Sequence, residues 1–466
     1  MNNLLIKNGL VVAENEEITC DVLCEGEKIS RIEKNIVCEN AKIIDAAGKI
    51  VIPGGVDVHT HLNLSTAQHT SCDDFLSGTV AAACGGTTSL VDHPGFGPPG
   101  CSLDHQITRY HRLAEGKAVI DYGFHGVLQH VDDGVLAMME TLVEGGVTSF
   151  KAYLTYNNKL SDADMFRVLR RGGELGAMIA VHPENDGVIA LLRNEFVAAG
   201  KTQPQWHPRS RPPECEAEAI NRMVLFAHLA EDLPLYIVHL SCALGLDLIA
   251  AARQRGQKNL WVETCPQYLL LDESLYSQPN YEGLKYIMCP PLRTPNDNAA
   301  IWQGLNSVID VVGTDHCPFS FKTQKIVGKD NFTVCPNGIS GIEERIPLMY
   351  SEGVAKGRIS LRRFTDLCCT MPAKLFGLYP QKGAIAPGSD ADLVIIDPNR
   401  QTIISHTNMH SNVDYCAYEG FAVQGLPVCT VSRGEIIVQD GKCIGTPGRG
   451  KFLKRITQKK CTVDGE

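Results

Sequence analysis

The chain has no apolar run approaching the length of a membrane span, and its start, Met1 to Gly9, has no charged segment followed by a long apolar one. Neither a membrane protein nor a secreted one is therefore expected, and a cytoplasmic location is. Long blocks of one charge are also missing, although the formal net charge is -10, so the basic face of a nucleic-acid binder is not expected. The 18 cysteines contain no Cys-x-x-Cys. In 466 residues with 44% hydrophobic content, a large core needs no disulfide staples, so reduced and mostly buried thiols are expected. A Gly-x-Ser-x-Gly elbow is absent, which removes support for a serine hydrolase. Gly95-Phe-Gly-Pro-Pro-Gly100 fits a dinucleotide-binding pattern only formally. Two prolines remove amide donors that a phosphate would need, and the segment reads as a loop.

What is present is a regular alternation. Both ends read as β: Leu4 to Val12 and Asp21 to Ile32 near the start, Asp392 to Asp397 and Thr430 to Val438 near the finish. Such ends can pair into one small sheet domain around an inserted one. Between them, apolar strand candidates span Ile52 to His61, Thr87 to His93, Val119 to Val127, Thr148 to Tyr156, Met178 to Pro183, Leu235 to Leu240, Leu260 to Thr264 and Val308 to Asp315. Helical patterns intervene at Asp74 to Cys84, Val135 to Glu144, Ala163 to Leu175, Glu216 to Ala230, Leu244 to Arg255 and Asn298 to Leu305. Eight short apolar strands with crossover helices predict an α/β chain, a (β/α)8 barrel whose chemistry sits at the strand C-termini. The expected division is a β-sandwich from 1–52 and 379–447, a barrel from 53–378, and a tail from 448–466. The basic tail reads as solvated or as packing on a partner.

Polar residues end several of these strands. His59 and His61 lie two apart and so share a strand face. His182, His239 and Asp315 end the fifth, sixth and eighth strands. Any one of these could be a satisfied core residue; four imidazoles and a carboxylate on one rim are better explained as metal ligands. Lys151 ends the fourth strand. Facing metal ions, its amine would be driven neutral and could take up carbon dioxide as a carbamate. That turns a positive group into an anionic bridge for two divalent ions. His316 points to the opposite face from Asp315 and is expected to be structural.

Ile52-Pro-Gly-Gly-Val-Asp-Val-His-Thr-His61, Lys151, His182, His239, Gly313-Thr-Asp315 and Gly383 to Ile396 together resemble the motif set of the cyclic amidohydrolases. Ser71 to Phe75, Ala82 to Thr88, Val181-His-Pro-Glu-Asn185, Val262 to Tyr268 and Cys335-Pro-Asn-Gly-Ile339 resemble the hydantoinase and dihydropyrimidinase branch. The surroundings of Cys72, Cys84 and His125 are similar to its D-phenylhydantoinase type. The resemblance covers nearly the whole chain. It implies that His59, His61 and Asp315 bind a buried ion, that His182 and His239 bind a more exposed one, and that carboxylated Lys151 bridges both. Zinc is the first choice of metal. It also implies a bridging hydroxide as nucleophile, Asp315 as proton shuttle, Tyr156 as oxyanion donor, and backbone groups at Cys289 and Asn337 gripping the ring. Cys289 stands where the family commonly has serine, which leaves main-chain contact intact.

The implied reaction is hydrolysis of 5-aryl hydantoins to N-carbamoyl amino acids with D preference, by a homotetramer. Leu64, Ala152, Tyr153 and Leu160 are candidates for an apolar substituent pocket. Dihydropyrimidinase is the nearest alternative. Allantoinase and dihydroorotase are less favoured, because allantoinases of this scaffold lack the tyrosine at the position of Tyr156. A non-catalytic assembly protein of the dihydropyrimidinase-related type would have lost ligands that are all present here.

Overall fold

The computed structural model describes residues 3–14 and 16–457. Its core is a closed ring of parallel strands. Gly55–Thr60 pairs with Thr87–Asp92, which pairs with Asp121–Phe124. The third strand resumes after His125 as Gly126–Val127 and pairs with Ser149–Tyr153. Met178–His182, Leu235–Ile237, Leu260–Thr264 and Val311–Val312 follow in register. A parallel bridge between Thr60 and His316, with the His61 amide donating to the His316 carbonyl at 2.9 Å, closes the circle. Helices cover the outside, and the expected eight-stranded barrel is the observed one.

The two β-rich ends do pair. The strand Ile50–Pro53 runs antiparallel to Leu393–Ile403, with Leu393 opposite Pro53 and Ile396 opposite Ile50. This seam unites N- and C-terminal strands in one nine-stranded sheet. Its buried face carries Ile6, Val22, Val51, Leu393, Ile395 and Val431.

Four details depart from the sequence reading. Ile52 to His61 is two strands, broken at Gly54, where a Cβ would lie 2.0 Å from Thr88 Oγ1; the chain leaves the sandwich sheet and enters the barrel there. Helices Asp104–Ala114 and Asp186–Ala198 were not anticipated. The second buries only Ile189 along its length and so lacks a core stripe; Asn185 starts it by capping the Val188 amide. The last barrel strand is shorter than expected, Val311–Val312, and Asp315 lies three residues beyond it in a backbone of φ 52°. Finally, the tail up to Thr457 is solvated only in part: Lys451, Lys454 and Ile456 are exposed, while Leu453, Arg455 and Thr457 are buried. It lies under this chain's own barrel: the Tyr122 amide donates to Lys451 O at 3.0 Å, and the Leu453 amide to Tyr122 O at 2.7 Å. The remainder of the basic segment, 458–460, falls outside the described residues. The described cysteines are all free thiols, most of them buried. No helix among the described residues is long and apolar enough to cross a membrane.

Candidate metal centre

The strand ends bring the expected donors together. The Nε2 atoms of His59 and His61 lie 3.1 and 3.0 Å from the same oxygen, Asp315 Oδ1. Across the rim, His182 Nδ1 faces His239 Nε2 at 2.9 Å. The rings of His59 and His239 are 5.5 Å apart, so the two pairs form one cluster. Lys151, only 1% exposed, sits among them beside Tyr153.

Burial lowers the Lys151 amine to about 8, against the opposing pull of Asp315 and Glu263. The sequence argument ascribed such a drop to a neighbouring metal; loss of water alone provides it here. Burial opposes ionisation of Asp315, but His59 and His61 hold it well below the ordinary carboxylate range. Burial lowers His61 and His182, and His239 far more, so these rings favour the neutral, ligand-ready form.

Two carboxylates fix the rings from behind. Glu263 Oε1 lies 2.6 Å from His59 Nδ1 and accepts the His239 amide at 3.1 Å, while Oε2 accepts from Tyr236 at 2.9 Å. Its approach depends on Gly313, where a Cβ would come within 2.9 Å of the Glu263 carboxyl. Glu184 Oε2 lies 2.7 Å from His182 Nε2 and is itself held by Arg211 at 2.6 Å. With burial working against it, that arginine still draws Glu184 down to about 2. In both pairs the outward nitrogen is engaged and the inward one is left for the cluster, the usual support for a metal-bound histidine. His59 Nε2 is buried and in no hydrogen bond despite its nearness to Asp315. A cation between these donors fits that orphaned nitrogen and the adjacent carboxylate. His59, His61 and Asp315 are a group able to hold an ion.

The backbone is strained where it delivers donors. His239, Asp315 and Tyr156 adopt φ of 40°, 52° and 71°. Each costs on the order of 1–3 kcal/mol and persists because the surrounding barrel enforces it.

The ring-binding candidates also converge. Cys289 Sγ lies 3.2 Å from Asn337 Oδ1, and its thiol meets the Tyr156 hydroxyl. Burial, then Cys289, push the Tyr156 phenol well above its ordinary value, so it stays a proton donor. Beside Tyr156 opens a cavity of about 300 Å³, lined among others by Thr155, Asn157, Asp186, Arg193 and Arg211. It is polar; none of Leu64, Ala152, Tyr153 and Leu160 lines it. His316 is structural as expected: its Nε2 lies 3.0 Å from Asp73 Oδ2, and its Nδ1 accepts from the Gly341 amide at 3.2 Å.

Sequence reasoning missed Glu263, Glu184 and Arg211 as parts of the centre. The available signal was a carboxylate within or just after an apolar strand, a position that demands a partner. It also missed His93, whose ring packs 4.5 Å from His59 and stacks on His125 at 3.9 Å.

A (β/α)8 barrel with histidines, a buried lysine and an aspartate gathered at its C-terminal rim has its chemistry-bearing residues where barrel enzymes keep them. Comparison with known proteins agrees. The chain belongs to the amidohydrolase family, whose model matches residues 50–437. It is 52% identical over 457 residues to a D-phenylhydantoinase of Escherichia coli O1:K1 / APEC, covering 97% of this chain and 98% of that one. It superposes on a dihydropyrimidinase from Brevibacillus agri NCHU1002 with a TM-score of 0.96 at 44% identity, over 98% and 99% of the two chains. A D-hydantoinase from a Bacillus sp. AR9 gives 0.95 at 45% identity, over 97% and 99%.

Proposed function

We propose that this chain hydrolyses the ring amide of 5-substituted hydantoins, aryl-substituted and D-configured by preference, to N-carbamoyl amino acids. The observation that carries the reading is the donor cluster: His59, His61 and Asp315 in mutual contact, His182 and His239 facing them, and Lys151 buried between. His59, His61 and Asp315 would hold one divalent ion, His182 and His239 a second, with Lys151 as a carbamate bridging the two and zinc the first choice. When bound, such ions supply a water activated near neutral pH and polarise a carbonyl.

The remaining work falls to the chain's own groups. Asp315, ionised at neutral pH, accepts the proton of the attacking water on its carboxylate and delivers it to the departing ring nitrogen. The Tyr156 hydroxyl, kept protonated by burial, donates to the carbonyl oxygen as charge develops there. Main-chain groups at Cys289 and Asn337 hold the imide edge of the ring, and the contact between these two residues sets their spacing.

Likeness to the Escherichia coli D-phenylhydantoinase supports the aryl and D preferences. The match to a dihydropyrimidinase favours one second reading, opening of dihydrouracil by the same centre. Racemic 5-phenylhydantoin, dihydrouracil and allantoin assayed side by side, with chiral chromatography of the products, separate them. D-N-carbamoyl-phenylglycine should dominate. Turnover of dihydrouracil alone would make the second reading correct, and turnover of allantoin alone would overturn both. Self-association to a homotetramer belongs to the same proposal. Light scattering should give about four chains per particle; a stable monomer at micromolar concentration would refute it.

A further inference from the structure

The segments around Cys289 and Asn337 are held from behind by one side chain. Lys325 opens the short turn Lys325–Lys329 and is fully buried, a rare place for an ammonium. Among the described residues no carboxylate pairs with it. Its Nζ donates instead to two carbonyls, Ile287 O at 2.8 Å and Pro336 O at 3.2 Å. Ile287 stands two residues before Cys289, and Pro336 immediately before Asn337. Taking those two positions as the ring grip of the proposed function, we propose that Lys325 is a positioning residue for ring binding. It ties the Cys289 segment to the Asn337 segment, so that their main-chain groups keep the spacing a cyclic imide requires.

The contacts separate this role from ordinary packing. His207 Nε2 lies 2.7 Å from Met288 O, and the Tyr268 hydroxyl donates to Pro290 O at 2.8 Å. Both fix the first segment. Lys325 spans the two segments from a single atom, and the Gly338 amide reinforces it by donating to the same Ile287 carbonyl at 3.0 Å. Close approach is built in: Gly338 has a φ of 151°, and a Cβ there would lie 2.1 Å from Cys317 O. On the other side of the same pair, Cys289 Sγ lies 3.2 Å from Asn337 Oδ1, with Cys289 buried and Asn337 exposed.

An ammonium has three N–H donors, enough for two carbonyls at different angles. Burial lowers the amine, yet both contacts are N–H donations that a neutral amine can also make. Without Lys325, Pro336 O keeps only the Cys335 thiol at 3.7 Å, and Ile287 O only the Gly338 amide. A looser grip weakens ring binding in the ground and transition states alike, which raises KM and spares kcat.

The test compares the metal-loaded enzyme with its Lys325→Met variant, which keeps the length of the side chain and loses the donors. Lys325→Gln, which is smaller, takes its place if the first does not fold. KM for 5-phenylhydantoin should rise about tenfold, the size of one or two weakened hydrogen bonds, with kcat within about threefold of the parent. Inhibition by acetohydroxamate, which needs the metal ions and no ring grip, should be unchanged. Hydrogen exchange should quicken at 335–339, where the Gly338 amide shares its acceptor with Lys325, and stay as in the parent at the rim strand Met178–His182. Unchanged KM, or equal exchange at 335–339, would overturn the proposal and make Lys325 part of the packing. Acetohydroxamate inhibition weakening in step with the rise in KM would also overturn it, because the damage would then be general. If the parent opens no cyclic amide, the catalytic reading fails, and exchange at 335–339 still decides the tie: faster exchange in the variant supports it, and equal rates refute it.

Discussion

At the rim of the barrel, His239, Asp315 and Tyr156 hold positive φ, His59 Nε2 is buried without a hydrogen bond, and an amine is pressed towards neutrality. At the floor, the tail from Gly448 to Thr457 threads beneath the strand starts. Leu453 packs with Val56, Val58, Met178 and Phe376, and the Ile456 amide donates to Gly377 O at 3.1 Å. One end stores strain and poorly satisfied polar groups; the other is packed and, apart from the Arg455 Nε, largely paired. Such a division is expected of a fold that keeps chemistry at the strand C-termini and stability at the N-termini. It also says which substitutions should remove activity while sparing the fold, and which should do the reverse.

The largest effect should come from Lys151→Ala. On the proposed reading the Lys151 carbamate joins the two halves of the rim cluster, and removing the amine breaks that link. Turnover of 5-phenylhydantoin should fall by more than ~10²-fold, beyond what loss of a mere supporting group costs. Bound metal should fall with it, and short carboxylic acids should restore part of both, while thermal stability of the metal-free protein stays near that of the parent. Near-normal turnover in this variant would make Lys151 part of the packing and erase the distinction between the two ends.

A smaller loss is expected from Glu263→Gln. The carboxylate holds His59 through Nδ1, and the amide keeps the shape while losing the charge. Metal affinity or activity should drop ~10–100-fold, the usual cost of a lost carboxylate behind a metal-bound histidine. Metal titration beside kcat/KM decides it. A variant that only melts earlier, with metal and turnover intact, would assign Glu263 to the fold.

The rim was legible in the sequence because the chemistry restricts it to a few residue types at one kind of position. His59, His61, Lys151, His182, His239 and Asp315 each end an apolar run, and eight such runs define a ring. What holds those donors was not legible. Glu263 reaches His59 across 204 residues, and only the closed barrel, with the eighth strand between them, brings the seventh strand near the first. Arg211 reaches Glu184 from a loop with no periodicity of its own. The polar cavity beside Tyr156 depends on Asp186–Ala198, a helix without the apolar stripe that would have announced it. The tail misled for a similar reason: Arg449, Lys451, Lys454 and Arg455 read as a basic surface, yet Arg455 is 3% exposed.

That arginine gives the smallest expected effect on catalysis and the sharpest test of the comparison. Arg455 Nη1 donates to Ser149 Oγ at 2.8 Å, and Nη2 to the Phe124 carbonyl. Ser149 Oγ in turn lies 2.7 Å from His125 Nδ1, and His125 stacks on His93 beneath His59. A continuous line of contacts therefore joins the floor to the rim. If the line only fills space, Arg455→Ala should cost stability alone. It opens a cavity and leaves a buried carbonyl and hydroxyl short of a donor, together about 2–4 kcal/mol. Hydantoin turnover, measured well below the melting temperature, should stay within about twofold of the parent. His125 is also held from within the barrel, by the Val58 carbonyl at 3.0 Å, and His93 stacks against it. Denaturant unfolding and kcat/KM on the same preparation give the answer. Lowered stability with unchanged kcat/KM keeps floor and rim separate. A fall in kcat/KM of tenfold or more in folded, metal-loaded protein would show that the tail sets the position of His59, and the two ends of the barrel would have to be treated as one device.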